Sequence, residues 1–183
     1  MRKKEKDEKE KVIKLVVTEK NATEMIKNKK NSLILLFIIF FFFSCDPYVV
    51  YEKNKEISDF QWEITDTLVF EVPIEDTINP HNIYFNVRNT SKYKMQNLYV
   101  FIHTQAPNGN SLTDTFECYL ADDKGKWTGR GWGDLYDNQF IYKKNIRFPV
   151  SGIYTFKYIH GMRTETLEHI SDVGIRIEKV NIH

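Results

Sequence analysis

Ile83-Tyr84-Phe85-Asn86-Val87-Arg88 and Leu98-Tyr99-Val100-Phe101-Ile102-His103 decide how this chain folds, because each keeps one apolar set at every second position. A period of two belongs to a β-strand with one face turned to a core. The same alternation recurs in Leu68-Val69-Phe70-Glu71-Val72, in Tyr154-Thr155-Phe156-Lys157-Tyr158, and at Ile175 and Ile177 around Arg176. Turn formers separate the runs: Asn79-Pro80, Asn89-Thr90-Ser91, Pro107 to Asn110, Asp122 to Gly125, Gly131 to Asp134 and Ser151-Gly152. No helical period is sustained beyond two turns, and Thr164 to His169 has room for a single one. About seven to nine short strands at this spacing predict an all-β fold, an antiparallel sandwich or jelly roll. Residues 58–181 supply enough chain for one core and one domain.

Upstream, Lys27, Lys29 and Lys30 precede an uninterrupted apolar run from Leu33 to Phe43, and Ser44-Cys45 follows. A basic n-region, an apolar h-region and a small residue are the parts of a secretory signal, in order. With cysteine at the cleavage point, residues 25–44 read as a lipoprotein signal peptide and Cys45 as the lipid attachment site. The alternative is a membrane span or signal anchor. A span needs about 20 apolar residues, whereas this run has 11 before Asp46-Pro47 closes it. Residues 1–24 are dense in both signs of charge and have little to bury. The signal is complete from Met25, which reads as the true start. Residues 45–57 read as a short tether holding the domain near the bilayer.

Charge follows the same division. Residues 1–44 carry a net charge of +5 and the rest −4, which sums to the near-neutral total of +1. An acidic body argues against nucleic acid, whose phosphates call for clustered Lys and Arg. With Cys45 lipidated, Cys118 has no partner for a disulfide and reads as a small buried hydrophobe. His81, His103, His160, His169 and His183 lack zinc-ligand spacing and read as surface or strand-edge residues. No metalloprotease, nucleophile-elbow or phosphate-loop motif is present. Asp122, Asp123, Asp134 and Asp137 surround the Gly125–Gly133 loop. Calcium is the functional reading of that cluster, but ordinary turn chemistry accounts for it better. The chain therefore reads as a non-enzyme, with no catalytic residue, metal, cofactor or small-molecule ligand expected.

The run Leu120-Ala-Asp-Asp-Lys-Gly-Lys-Trp-Thr-Gly-Arg-Gly-Trp-Gly-Asp-Leu-Tyr-Asp-Asn138 continues through Phe140-Ile-Tyr-Lys-Lys-Asn-Ile-Arg-Phe-Pro149. Gly152 to Phe156, His160 to Arg163 and Asp172 to Glu178 follow; Trp62, Phe70 to Thr77 and Tyr84 to Thr90 precede it. Together these resemble the GldH family of gliding motility lipoproteins over nearly the whole mature chain. Departures are the long N-terminus, Trp132 in place of a smaller apolar residue, and His160-Gly161 in place of a more polar pair.

The resemblance implies a lipid-anchored envelope protein of the gliding apparatus. Its role would be to support assembly or stability of the gliding and type IX secretion machinery through protein contact. The outer membrane, on its periplasmic face, is the expected location, with the inner membrane as the alternative. Only Cys45 carries over as a functional residue. Core or hinge packing is the ordinary role for Trp62, Trp127 and Trp132. Because loops carry binding while strands position them, the Trp127–Asn138 loop is the candidate contact surface, with Trp127, Trp132, Asp134 and Tyr136 its named residues. A carbohydrate-binding envelope lipoprotein of jelly-roll fold is the alternative reading.

Processing at Cys45 is directly testable. Globomycin, or Cys45→Ala, is expected to make an unprocessed precursor accumulate on an immunoblot and to abolish lipid labelling; unchanged migration without any lipid label in the wild type would contradict a lipoprotein signal.

Overall fold

A computed structural model describes residues 47–180, which form two antiparallel sheets and a small clasp. In chain order the strands are β1 (Val49–Glu56), β2 (Gln61–Glu63), β3 (Leu68–Ile74), β4 (His81–Thr90), β5 (Asn97–Gln105) and β6 (Ser111–Tyr119), then β7 (Arg130–Trp132), β8 (Leu135–Ile146), β9 (Gly152–His160), β10 (Thr166–Glu168) and β11 (Ile170–Lys179). The larger sheet runs β1-β11-β4-β8-β7 and the smaller β3-β9-β5-β6, while β2 and β10 pair alone. The chain passes repeatedly from one sheet to the other, from β3 to β4, β4 to β5, β6 to β7 and β8 to β9.

Alternation explains the sandwich. Strand β4 buries His81, Ile83, Phe85, Val87 and Asn89 and turns the residues between them outward. Strand β9 does the same with Tyr154, Phe156, Tyr158 and His160. The two inner faces meet at Tyr158, whose ring lies 5.1 Å from Phe70 and 5.5 Å from Phe85. Phe116 of β6 approaches Phe85 at 5.8 Å and Tyr142 of β8 at 5.5 Å. Rings of this size contribute more buried area than any other side chains, and truncating one to alanine in a core typically costs about 3–5 kcal/mol. On the open side of the sandwich, Asp114 of β6 accepts from the Tyr142 hydroxyl at 2.6 Å and pairs with Lys143 at 2.8 Å. Pro73 lies on β3, an edge strand bonded only to β9, where its missing N–H costs the ladder least.

Residues 47–57 differ from the sequence reading. Instead of a tether, Val49–Glu56 is a full edge strand paired with β11 from Val49↔Glu178 to Glu56↔Asp172. This pairing takes β11 off the sheet edge and covers its backbone groups, and Val50 and Tyr51 pack on the core. The leader, Cys45 included, lies outside the described residues. Cys118 is buried at the end of β6, and burial pushes its thiol up to about 12.

Two histidines read as surface residues are instead fully buried. His81 packs edge-on against Phe148 at 5.4 Å, and neither ring nitrogen meets a partner among the described residues. His160 lies edge-on to Trp62 at 5.5 Å, with Nε2 3.3 Å from the Glu165 carbonyl. Their positions in the inward-facing sets of β4 and β9 account for both: alternation overrides polarity.

Burial lowers both imidazole pKa values, so the folded domain holds each ring neutral. The unfolded chain takes up protons near pH 6.5 and the folded chain resists them. Stability is therefore complete above that pH and falls below it, by up to about 1.4 kcal/mol per pH unit for each histidine. The urea midpoint is expected to drop between pH 7.5 and 5.5; an unchanged midpoint would contradict neutral burial.

Candidate functional site

The Trp127–Asn138 loop is built from a hydrogen-bonded root. Asp122 Oδ1 accepts from the Lys124 and Lys126 amides, making a tight turn, and Ala121 bridges to Trp127. Thr128 then docks on the end of β6: its amide donates to the Leu120 carbonyl, and its hydroxyl lies 3.0 Å from the Tyr119 and Leu120 carbonyls. Behind it, buried Asn138 donates to Asn89 Oδ1 at 3.0 Å, while its own Oδ1 lies 3.2 Å from the Thr128 hydroxyl. Gly129 is needed here, since a Cβ would stand 2.7 Å from Asn138 Oδ1 and the Asp137 carbonyl. The Thr128–Asn138–Asn89 network thus fixes the loop on the sandwich.

Trp127 is half-buried, with its ring 5.6 Å from Tyr136 and 6.5 Å from Tyr93, on the margin of the core. Tyr136 lies beneath Gly131, where a Cβ would sit 2.9 Å from the ring. Asp134 accepts from the Ser91 hydroxyl and joins the loop to the turn after β4, where its carbonyl also accepts from the Ser91 amide. The structure therefore brings Trp127 and Tyr136 into contact and gives Asp134 an anchoring bond. Trp132 ends β7, paired with Leu135; its side chain lies outside the described residues.

Sequence reasoning missed a neighbouring feature. The outer face of the smaller sheet leaves Tyr119, Phe101 and Tyr99 at 54%, 43% and 36% exposure. Glu117 accepts from Asn97 Nδ2 at 2.7 Å, which with the hydroxyls of Tyr99 and Tyr119 lowers its pKa, while the carboxylate raises those of the two tyrosines. Phe101 overlies Gly161, and the Tyr99 amide contacts Met162 Sδ at 3.3 Å. The signal was present in the sequence: Tyr99 and Phe101 occupy the solvent set of a strand whose inner set is already apolar. Neighbouring exposed aromatics on one sheet face mark a candidate contact site.

The outer face of the larger sheet is of the opposite character. A groove of about 590 Å³ crosses it, lined by side chains such as Asn54, Asn86, Arg88, Arg130, Asp137 and Gln139. A second concavity, about 410 Å³ and mainly apolar, opens at the seam between the sheets beside Tyr142, Ile146 and Phe148. The aspartates around the loop are spent separately: Asp122 on its turn, Asp134 on Ser91, and Asp137 on Arg88 at 2.5 Å. Among the described residues no group of three His, Cys, Asp or Glu is placed to hold a metal ion, and no helix is long and apolar enough to cross a membrane.

Comparison with known proteins agrees with the sequence resemblance. The family model described as GldH lipoprotein matches residues 49–177. The gliding motility lipoprotein GldH homolog of Christiangramia forsetii is 33% identical over 143 residues, covering 74% of this chain and 87% of the relative. Gliding motility lipoprotein GldH of Flavobacterium johnsoniae is 31% identical over 157 residues, covering 82% and 97%. Among solved structures, the infectious bursal disease virus VP2 subviral particle aligns at 16% identity with a TM-score of 0.31. That alignment spans 75% of this chain but only 34% of the viral one, and it carries no argument.

The buried amide network makes the loop's order testable. Asn138→Leu strands Asn89 Oδ1 without its donor and is expected to cost about 2 kcal/mol in urea unfolding. Hydrogen exchange should accelerate across 120–135 while β9 stays protected; uniform protection in both regions would contradict the network's role.

Proposed function

The chain belongs to the GldH lipoprotein family, and from that premise we propose that it is a lipid-anchored contact protein of the gliding apparatus, supporting assembly or stability of the gliding and type IX secretion machinery. Cys45 carries the acyl anchor in this reading, and the sandwich stands close to the membrane because β1 begins four residues later. The outer membrane is the preferred location. The protein works by presenting a surface and not by turnover.

The observation that carries this reading is the aromatic surface at one end of the smaller sheet. Tyr119 is exposed at the root of the loop, where its carbonyl receives the Thr128 hydroxyl. The tyrosine pair, Phe101 and the loop residues Trp127, Trp132, Asp134 and Tyr136 together compose the proposed contact surface. Aromatic side chains dominate binding energy at such surfaces, because they bury large area at low entropic cost. A rigid sheet with a pinned loop loses little further freedom on docking.

Two variants separate contact from folding. Trp127→Ala with Trp132→Ala, and independently Phe101→Glu with Tyr119→Glu, are expected to keep the β-sheet circular dichroism spectrum. Both should lose co-purification with other gliding lipoproteins and impair colony spreading. Normal spreading and capture by folded, normally abundant variants would refute this surface.

A further inference from the structure

We propose that the groove across the outer face of the five-stranded sheet is a binding site for a neutral, hydroxyl-rich glycan. It lies on the opposite sheet from Tyr99, Phe101 and Tyr119, and shares with the contact reading only the margin where residues 128–130 and Asp137-Asn138 of the loop meet the groove.

The groove crosses all five strands, from Glu52 and Asn54 on β1 to Arg130 on β7. Four inter-strand steps of about 4.8 Å put its ends roughly 19 Å apart, the length of a short oligosaccharide. Its floor follows from register. Asn54, Gly174, Asn86 and Gln139 stand opposite one another on β1, β11, β4 and β8, and Asp172, Arg88, Asp137 and Arg130 form the next row. One row therefore offers amides and the other alternates charge.

Most of these groups are already held in place. Arg88 lies between Asp137 at 2.5 Å and Asp172 at 3.2 Å. Gln139 donates to Asn86 at 3.1 Å, and Asn86 donates to Glu52 at 3.5 Å. Arg176 binds Glu52 at 2.6 Å and Glu178 at 2.5 Å. Such a lattice pays its ordering cost during folding, leaving spare lone pairs and N–H groups for a ligand. Gly174 completes the floor: a Cβ there would stand 1.7 Å from Asn54 Oδ1, so only glycine lets Asn54 lie flat across the sheet. Among the described residues the side chains of Asn54 and Arg130 have no hydrogen-bond or ionic partner, and they stand at opposite ends of the groove.

This chemistry selects among ligand classes. Carboxylates and guanidiniums are interleaved and largely neutralise each other, so the groove has no strong field for a phosphate or a cation. The open strand edges are the outer sides of β1 and β7 and the part of β8 beyond Asp137, so an added peptide strand could join only along a margin and not across the floor. Apolar side chains of a folded partner would find few matching contacts. Hydroxyl groups, each both donor and acceptor, match mixed amides, carboxylates and guanidiniums. Phe140, the aromatic residue of the lining, packs against the core and is not free to stack on a sugar, so affinity should be modest.

The test titrates maltohexaose, cellohexaose, laminarihexaose and chitohexaose, with inorganic phosphate as control, into the full-length lipoprotein in detergent, followed by amide NMR shifts. At least one hexasaccharide at millimolar concentration should shift resonances of β4, β8 and β11 around Asn86, Gln139 and Gly174. Asn54→Ala with Arg130→Ala, both at partnerless sites, should weaken that binding about tenfold with the rest of the spectrum unchanged. Ile153→Ala, exposed on β9 of the other sheet, should leave it intact. Three results would each overturn the proposal: no glycan moving the groove, phosphate doing so instead, or shifts that map elsewhere and survive the double variant. Capture of a protein through Asn54 and Arg130 crosslinks, with no glycan response, would also overturn it.

Discussion

Contact between the two sheets through Tyr158 is the constraint on which the rest depends. Its ring sits between Phe70 of its own sheet and Phe85 of the opposite one, and Phe85 passes the contact on to Phe116. No disulfide within the described residues supports this arrangement; the single cysteine there is free. A domain of this size without a cross-link among its described residues must draw its stability from burial. The core takes priority over polarity, enclosing two histidines and a tyrosine hydroxyl that finds no partner among the described residues.

Once the sheets are joined by their inner faces, the two outer faces are free to diverge. The smaller sheet leaves aromatic rings uncovered at the end where β6 enters the Trp127–Asn138 loop. The larger one carries a lattice of amides and salt bridges. Surface ion pairs of this kind contribute little to stability, so the sandwich does not depend on that lattice. The loop belongs to neither face alone. Thr128 ties it to β6 of the smaller sheet, and Asn138 ties it to β4 of the larger.

Much of the fold was legible because a period of two is a local signal. Phe85, Val100, Phe156 and Ile175 all lie in the core, as their spacing implied. The stretch after Cys45 was misread because Glu52 to Glu56 is charged and short of apolar spacing; as an edge strand with one solvated face, it needs only Val50 and Tyr51 inside. Histidine burial was missed because residue type was weighed above register. The proposed contact surface was half legible. The tryptophans drew attention by composition, whereas Tyr119 and Phe101 needed the sheet to show that their face is uncovered. The groove was invisible, since its rows unite β1, β11, β4 and β8 across sequence separations that no local pattern encodes.

Taken together, the chain is a GldH-family lipoprotein with an all-β body, for which we propose a contact role. Site-specific photocrosslinking in living cells tests that most directly, with a photoreactive phenylalanine at Tyr119, or at highly exposed Ile78 in the turn before β4. The account predicts discrete adducts from position 119, identified by mass spectrometry as envelope proteins, and none of comparable yield from position 78. Equal, diffuse labelling at both positions, or none at 119 in a folded and acylated protein, would contradict it.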